Sequence, residues 1–403
     1  MLKAEENEML TRVERGTPGG EWLRSFWLPI AISDRWDGIK TLWQCQESFF
    51  FKGRTGTAEE FGGQLGTFTG KPTAVRILAE DLVLFRNGQG NLGLLGLHCP
   101  HRGASLEYGR VHETSLECCY HGWTFDMEGN CTHTPAEDPN SRLKDKVKHT
   151  AYEVKEMGGF IWAYMGAGEA PILPRLDVVA REDGIRAVEN FALWPCNYFQ
   201  ILENSPDVTH TGILHGGSGG GERSDIWYEL PRVKWDEKEL GIVASQIRTN
   251  YVRTSYIMMP NINRLPQPWP GGKFKWPRYS AIFRTPVDNT HTLMFSAVFT
   301  PFVDGRPPEL PEGITIDITD QLHVHRLQDY EACVSQGEIF DRTSEVLGAS
   351  DGGVIMLRKM IMAGIQAVQE GRDPKGVMRG SEYEGILDLS HVVKDSLLEE
   401  SAA

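Results

Sequence analysis

Cysteine and histidine occur together in two short segments, and these residue types suit a metal centre. The segment HCPHRGASLEYGR contains Cys99 and His101, whereas LECCYHGWTF contains Cys118 and His121. Thiolate and imidazole bind Zn²⁺, and they also bind iron in clusters where two histidines replace two cysteines on one iron. The four side chains therefore predict either a structural zinc site or a [2Fe–2S] cluster.

The order of the ligands favours the cluster. Sixteen residues separate His101 from Cys118, so each half is a short loop that supplies one cysteine and one histidine. Zinc sites usually group Cys with Cys and His with His, whereas the interleaved order lets both cysteines bind one iron. Gly103 and Gly122 follow the histidines, where the chain must turn sharply. Cys119 lacks the Cys-x-x-His spacing of Cys118 and is predicted to be a packing residue.

A second group of metal-binding side chains lies in ENSPDVTHTGILH. Asp207, His210 and His215 are spaced i, i+3 and i+8. On an ideal α-helix the two histidines lie about 140° apart, which is poor for a shared ion, but Gly212 allows a bend or bulge. Two histidines and one carboxylate leave open positions on Fe(II). Taken alone, a His-x4-His pair in a helix is more often structural.

Residues just before this group indicate a helix start. Ser205 followed by Pro206 is typical of an N-cap and the first helical position. We therefore predict that Asp207 and the histidines lie on a short, irregular helix. Asn204, one turn before Asp207, is expected near the same site, although a helix-start hydrogen bond is an equally good interpretation.

These motifs resemble one family. CPHRGA followed by C-x-YHGW resembles the Rieske fingerprint, and Asn-x-x-Asp-x-x-His-x4-His is similar to the mononuclear iron motif of Rieske non-haem iron oxygenase α subunits. The tail, DRTSEVLGASDGGVIMLRKM and then GRDPKGV, resembles the phthalate-dioxygenase-like branch. The resemblance covers nearly the whole chain. High-potential Rieske proteins have cysteines at the positions of Ala104 and Tyr120, so the resemblance is to the lower-potential oxygenase type.

The resemblance implies a set of iron ligands. The ligands of the [2Fe–2S] cluster are Cys99, His101, Cys118 and His121. The ligands of the mononuclear Fe(II) are His210, His215 and, as the third ligand, a carboxylate. In the family that aspartate opens a long C-terminal helix, and Asp351 in SDGGVIMLR fits. Spacing cannot choose among the many acidic residues, so Asp341 and Glu345 remain the other candidates.

Asp207 has a further role in the resembling family. There this aspartate connects the mononuclear site of one subunit to a Rieske histidine of the neighbouring subunit. The resemblance thus implies that Asp207 bridges His210 of one protomer to His121 of the next. The simpler interpretation is an aspartate that interacts with the helix dipole.

The resemblance also implies the reaction and its partners. The Rieske cluster passes single electrons to the mononuclear iron, which binds O₂ beside an aromatic substrate. An aromatic acid is the expected substrate. The product is a cis-dihydrodiol, a hydroxylated compound or a demethylated ether. The chain has no Gly-x-Gly-x-x-Gly fingerprint that leads from a strand into a helix, so a separate reductase must supply the electrons. The resemblance implies that this reductase is an NAD(P)H-dependent flavin and [2Fe–2S] protein. The α subunits of this branch form trimers or stacked trimers.

Four functions stay open at this point. An aromatic ring-hydroxylating dioxygenase is favoured, and an O-demethylating monooxygenase of a methoxylated aromatic is second. A Rieske electron carrier without oxygenase activity and a zinc-stabilised binding protein belong to different classes. Arg248, Arg253 and Arg284 in strand-like stretches are candidates to meet a substrate carboxylate, but such arginines are more often solvated.

The elements that position these residues indicate an α+β fold. Residues 1–26 form a helical lead, and 27–166 contain short strands that predict an all-β Rieske domain. A Pro/Gly-rich joint, AGEAPILPRL, begins the catalytic domain at 167–403. That domain has helical signals at 196–215, 316–336 and 352–370, with strand-like stretches at 242–258 and 278–300 between them. This pattern favours an antiparallel sheet flanked by helices.

Composition limits the function classes. The chain has 403 residues, 40% of them hydrophobic, with a formal net charge of −14, which argues against nucleic acid or an anionic membrane as the main partner. There is no signal-peptide pattern and no apolar run of about 20 residues. Seven scattered cysteines indicate a reducing compartment, so a cytoplasmic location is expected. The run GGSGGGE at 216–222 lacks the Lys-Ser/Thr of a phosphate loop and is predicted to be a flexible loop.

Overall fold

A computed structural model describes residues 2–37, 39–42, 68–215, 229–267, 278–306, 329–393 and 395–397. The chain opens with two helices, α1 (Ala4–Thr11) and α2 (Pro18–Arg24). Thr17 caps α2 by accepting a hydrogen bond from the Gly20 amide at 3.2 Å. Pro18 occupies the first helical position, where its missing N–H costs nothing. The glycine run at 216–222 lies outside the described residues.

Six antiparallel strands form the first sheet. Their bounds are β1 Trp27–Ile32, β3 Thr73–Ile77, β4 Glu80–Arg86, β5 Leu92–Gly96, β10 Ala151–Met157 and β11 Phe160–Tyr164. Their order in the sheet is β1-β11-β10-β5-β4-β3. The apolar stretch 73–87 forms two of these strands, because Leu78 and Ala79 take positive φ angles of 49° and 61° and close a tight hairpin.

A small four-stranded sheet adjoins the first sheet and has a core of its own. Its strands are β6 Arg110–Val111, β7 Ser115–Glu117, β8 Thr124–Asp126 and β9 Cys131–His133. Buried Phe85, Leu116 and Phe125 pack around Cys99 and Cys118. The two cysteines are therefore packed within a separate apolar cluster.

In the part of the chain that the structure describes, the largest sheet has nine strands. Their bounds are β2 Ile39–Leu42, β12 Gly184–Trp194, β13 Arg232–Lys238, β14 Gly241–Arg248, β15 Tyr251–Met258, β16 Ile262–Gln267, β17 Arg278–Pro286, β18 Thr292–Pro301 and β19 Asp395–Leu397. The order is β13-β14-β15-β16-β17-β18-β12-β2, with β19 beside β15. All pairs are antiparallel except β12 with β2. The predicted α+β fold with an antiparallel second sheet is confirmed. β2, however, falls within the predicted range 27–166 but pairs with the sheet of the following range.

The two faces of this large sheet have different surroundings. On one face Phe283 packs against Phe160 and Trp162 of the first sheet, with ring centroids 5.7 and 5.3 Å apart. On the other face Ile282 joins a second apolar cluster. Because side chains alternate along a strand, Arg284 lies on the same face as Ile282. We call this second face the site face.

Helices pack on both faces of this sheet. They are α3 (Asp177–Ala180), α4 (Tyr198–Glu203), α5 (described from residue 329 to 334) and α6 (Gly352–Gln369). Of these, α3 lies on the face of Arg264. Buried Ile201 of α4 and Cys333 of α5 pack with Met294 of the sheet. Among the residues that the structure describes, no helix is both long and apolar enough to cross a membrane.

A buried charge network anchors the end of α4. The Glu203 carboxylate accepts hydrogen bonds from Arg342 at 2.9 and 2.6 Å and from Arg358 at 2.5 Å. Arg358, on α6, also pairs with Glu345, and Arg342 contacts Asn7 of α1 at 3.1 Å. Three separate parts of the chain thus meet at one carboxylate.

Candidate metal centres

The two cysteine loops have the same backbone hydrogen bonds. In the first loop the Cys99 amide donates to the Ala104 carbonyl at 2.9 Å, and the Gly103 amide donates to the Cys99 carbonyl at 2.8 Å. In the second loop the Cys118 amide donates to Trp123 at 2.8 Å, and the Gly122 amide donates to Cys118 at 3.0 Å. The local sequence thus builds two equivalent turns, each with a cysteine at its base.

Glycine is required at the fourth position after each cysteine. Gly103 and Gly122 have φ angles of +74° and +72°, a region that side chains with a Cβ rarely adopt. A Cβ added to Gly122 would also lie 2.8 Å from Pro135 Cγ. The sharp turns predicted after the histidines are therefore present.

The loops bring the four predicted cluster ligands together. Cys99 and Cys118 are each 2% exposed, and both lie in the same apolar cluster. The rings of His101 and His121 have centroids 4.6 Å apart, and His101 stacks on Trp123 at 4.5 Å. Two thiols on one side and two imidazoles on the other fit a cluster with one sulfur-ligated and one nitrogen-ligated iron.

Burial separates the two halves of this centre. Burial, together with the neighbouring Cys118, raises the pKa of the Cys99 thiol to about 11, and iron binding would hold it as thiolate. The imidazoles lie at the surface, since His101 is exposed and His121 half-buried. Desolvation and the nearby charges of His101 and Arg102 lower the pKa of His121. The side chains of Tyr108 and Tyr120 are also exposed, by 71% and 56%.

The second group of predicted ligands follows α4 and not a new helix start. Asn204 is the C-cap of α4, and the Ser205 amide donates to the Leu202 carbonyl at 3.0 Å. Ser205 and Pro206 therefore form a turn after a helix, and the predicted N-cap is wrong. Ser205 Oγ instead accepts a hydrogen bond from Arg284 at 2.7 Å.

The irregular helix predicted for the histidines is a π turn. Residues Thr211–His215 are π-helical, a conformation with i→i+5 hydrogen bonds that is frequent at functional sites. In this conformation backbone positions five residues apart lie on the same side of the turn, and His210 and His215 are five residues apart. The side chain of His215 lies outside the described part of the chain.

Both ring nitrogens of His210 face oxygen atoms. Its Nδ1 contacts the backbone carbonyl of Asp207, whereas its Nε2 lies 3.7 Å from Asp329 Oδ1. Asn204 Nδ2 donates to the same Asp329 oxygen at 3.3 Å. The structure therefore brings Asn204, His210 and Asp329 together. Within the described residues no three His, Cys, Asp or Glu side chains converge as a ready cage for one ion.

Asp329 is not among the carboxylates that the sequence indicated as candidates. It lies 119 positions after His210 in the range 316–336 that was predicted only as helical. No local pattern marks it, because its proximity to His210 comes from the packing of α5 over the site face. Only its place on a helix next to other acidic residues was available as a signal.

The three carboxylates considered from the sequence have other contacts. Asp351 is the N-cap of α6, and its Oδ2 accepts a hydrogen bond from the Gly348 amide at 2.6 Å. Glu345 pairs with the buried Arg358. Asp341 is exposed and accepts from the Thr343 amide at 2.9 Å.

The strand arginines are buried, so the expectation of solvated side chains was wrong. Arg248, Arg253 and Arg284 are 3%, 4% and 3% exposed. Arg248 donates to Gln246 at 3.1 Å, and Thr211 of the π turn donates to the same amide oxygen at 3.3 Å. Burial and the charge of Arg248 lower the pKa of Arg253 to about 9. The site face thus carries several buried cations next to the histidine segment.

Comparison with known proteins identifies the family. Residues 63–154 match the Rieske [2Fe–2S] domain. The chain is 32% identical to the 5,5'-dehydrodivanillate O-demethylase oxygenase subunit of Sphingobium sp., over 99% of this chain and 89% of that protein. It is 30% identical to the phthalate 4,5-dioxygenase oxygenase subunit of Pseudomonas putida, over 93% and 89%. The chain belongs to the Rieske non-haem iron aromatic ring-hydroxylating oxygenases. It is an oxygenase (α) subunit of the phthalate-dioxygenase-like branch.

Solved structures share the fold of this Rieske oxygenase. NdmB of Pseudomonas putida CBB5 has a TM-score of 0.66 at 20% identity, over 94% of this chain and 98% of that one. The oxygenase in the reduced oxygenase–ferredoxin complex of carbazole 1,9a-dioxygenase has a TM-score of 0.61 at 17% identity, over 96% and 98%. The likeness in fold covers nearly the whole chain. The predicted enzyme class is confirmed by the oxygenase-subunit relatives at 30% identity or more.

Cluster formation in this Rieske oxygenase tests the register of the second loop. Cys118→Ser is expected to abolish the visible absorption of the cluster, because a hydroxyl replaces a buried thiolate ligand. Cys119→Ser is the matched control, since Cys119 is exposed, and its spectrum should equal that of the wild type. Bleaching by Cys119→Ser with a normal spectrum for Cys118→Ser would contradict the assignment.

Proposed function

We propose that this subunit uses O₂ and electrons from a separate reductase to hydroxylate an aromatic acid. The observation that carries the proposal is the pairing of His210 Nε2 with Asp329 at 3.7 Å, beside a sheet face with buried guanidinium groups. A histidine and a carboxylate on different elements suit an open Fe(II) site. The relatives named above support an aromatic substrate.

We assign the iron ligands as follows. Cys99 and Cys118 hold one iron of the cluster, and His101 and His121 hold the other. His210, His215 and Asp329 hold the mononuclear iron, and Asp329 replaces Asp351 because it faces His210 whereas Asp351 caps α6. When bound, these groups supply single-electron transfer and O₂ activation.

The surrounding side chains position these ligands. The Asp207 carbonyl accepts from His210 Nδ1 and so directs Nε2 towards the metal, as partners of metal-binding histidines commonly do. Asn204 donates to Asp329 and restrains the carboxylate. Thr211, through Gln246, attaches the π turn to the sheet.

An O-demethylating monooxygenase is the second candidate function. It is favoured by the 32% identity, over 99% of the chain, to an O-demethylase oxygenase subunit. In that case the substrate is a methoxylated aromatic, and the same residues hold the same metals. The two functions differ in the product and not in the site.

The proposed partners are a reductase and further copies of this chain. The reductase is an NAD(P)H-dependent flavin and [2Fe–2S] protein, and the chain assembles as a homotrimer or as stacked trimers. Support comes from the exposed histidine edge of the Rieske loops and from Asp207, whose side chain is 34% exposed. Its Oδ2 lies 4.0 Å from His210 Nδ1 and its Oδ1 accepts from Thr209 at 2.8 Å. We propose that this carboxylate contacts His121 of the neighbouring protomer.

Substrate-dependent O₂ uptake tests the function. Purified subunit with cluster, Fe(II), NADH and a flavin/[2Fe–2S] reductase is expected to consume O₂ faster when a benzoate or methoxybenzoate is added. Product analysis by mass spectrometry then separates ring hydroxylation from loss of formaldehyde. Uptake that no aromatic compound stimulates would contradict both functions.

Iron content tests the third ligand. Asp329→Ala is expected to lower iron from about three to about two per chain, the sum of a two-iron cluster and a one-iron site, with the cluster spectrum unchanged. Asp351→Ala is the control and should keep about three irons. Loss of iron from Asp351→Ala, with full iron in Asp329→Ala, would restore Asp351 as the ligand.

Asp207→Asn tests the bridge between protomers. The substitution keeps the backbone carbonyl that holds His210, so both metal sites should still form. The rate at which O₂ reoxidises the reduced cluster in the presence of substrate, measured by rapid mixing, is expected to fall roughly 10–100-fold. Thr209→Val removes only the local contact to Asp207 and should reoxidise normally. Equal slowing in both variants would mean that Asp207 only stabilises its turn.

A further inference from the structure

Buried polar atoms without partners concentrate on the site face. Within the described residues, Asn263 Oδ1, Ser280 Oγ and Arg284 Nε and Nη1 are buried and have no hydrogen-bond partner. Asn263 pairs with Ile282 in the β16–β17 ladder, so all three residues point to the face that carries Ile282. A polar atom buried without a partner costs about 1–3 kcal/mol. Several such atoms on one face indicate a surface that a polar ligand completes.

Arg284 differs from the arginine on the opposite face of the same sheet. Arg264 is fully buried and donates to both oxygens of Asp177, at 2.9 and 2.8 Å. Arg284 is equally buried, but in the described part of the chain its one side-chain partner is the neutral Ser205 hydroxyl. The first arginine is satisfied by the protein itself, whereas the second keeps donors for another acceptor.

The position of Arg284 places this donor at the metal end of the face. Ser205 precedes Asp207 and His210 in the turn that follows α4. Burial lowers the pKa of Arg284 to about 10, with Cys333 and Asp329 acting in the opposite direction, so the guanidinium is still cationic at neutral pH. Ser280 lies four residues along the same strand, about 13 Å away at the usual rise. The face therefore has a cationic end near Asp329 and a neutral polar end.

We infer that Arg284 binds the carboxylate of the substrate and makes this oxygenase selective for aromatic acids. The inference rests on the proposed function and deepens it. Guanidinium and carboxylate match in geometry and charge, and a buried cation lacking a carboxylate is costly unless a ligand compensates it. The neutral atoms of Asn263 and Ser280 face the less charged part of the bound molecule.

Binding of matched acids and amides tests the inference. The probes are 3-methoxybenzoate, 4-methoxybenzoate and phthalate, with the corresponding benzamides, titrated calorimetrically into the metal-loaded subunit without reductase. Arg284→Met is expected to weaken binding of the acids about 10- to 100-fold and to leave the amides within about threefold. Arg284→Lys keeps the charge and should restore part of the acid affinity.

Stability separates this role from a structural one. Arg284→Met should keep or raise the thermal midpoint, because it removes a buried charge that has no carboxylate partner in the described residues. Arg264→Met is the matched control and should lower the midpoint, because it leaves Asp177 buried and unneutralised. Iron content of Arg284→Met should stay at the wild-type value.

Several outcomes would overturn the inference. The first two are an equal loss of acid and amide binding in Arg284→Met, and a fall in its thermal midpoint comparable to that of Arg264→Met. The others are a loss of iron from Arg284→Met, caused by displacement of Asp329, and a wild-type subunit that binds no acid. The proposed function can fail independently. Arg284-dependent acid binding without O₂ uptake would sink the oxygenase reaction on these acids, whereas acid-stimulated uptake with unchanged KM in Arg284→Met would sink only the inference.

Discussion

The ion pairs of Glu203 are the interaction on which the candidate iron site depends. Its carboxylate lies between two buried guanidinium groups, from Arg342 and Arg358, and the next residue begins the segment that carries Asn204 and His210. Burying such charges is costly unless the hydrogen bonds are complete, and here both carboxylate oxygens accept them. The network joins α4 to α6 and, through Asn7, to α1. A local turn with π geometry is thereby held against a rigid frame.

The large sheet separates stability from function by using its two faces differently. One face packs aromatic rings such as Phe283 against the first sheet and neutralises Arg264 with Asp177. The other face carries Arg284 with few internal partners and lies below α5 and the histidine turn. Functional sites commonly retain polar groups that folding alone would not favour. The contrast between Arg264 and Arg284 is what the inferred role of Arg284 would produce.

How much of the site could be predicted depended on the range of the contacts. The Rieske loops are local, since each cysteine, its histidine and the glycine at positive φ lie within five residues, and their sequence predicts their geometry. Asp329 meets His210 across 119 positions, and only the packing of α5 decides which carboxylate arrives there. The position of Asp351 before a long helix does not identify a ligand by itself, because an N-cap also requires such a residue. The burial of Arg284 was likewise set by helices distant in sequence.

The two candidate centres present opposite chemistry at the surface, and this bears on assembly. The cluster loops bury their thiols and expose imidazole edges, with Tyr120 against His121, whereas the histidine turn exposes part of the Asp207 carboxylate. A contact between these unlike patches is heterologous, since each protomer uses one patch towards each neighbour. Heterologous contacts close into rings when the rotation permits and otherwise extend without limit. The proposed bridge through Asp207 is such a contact, and the proposed trimer is the case in which the rotation closes after three protomers.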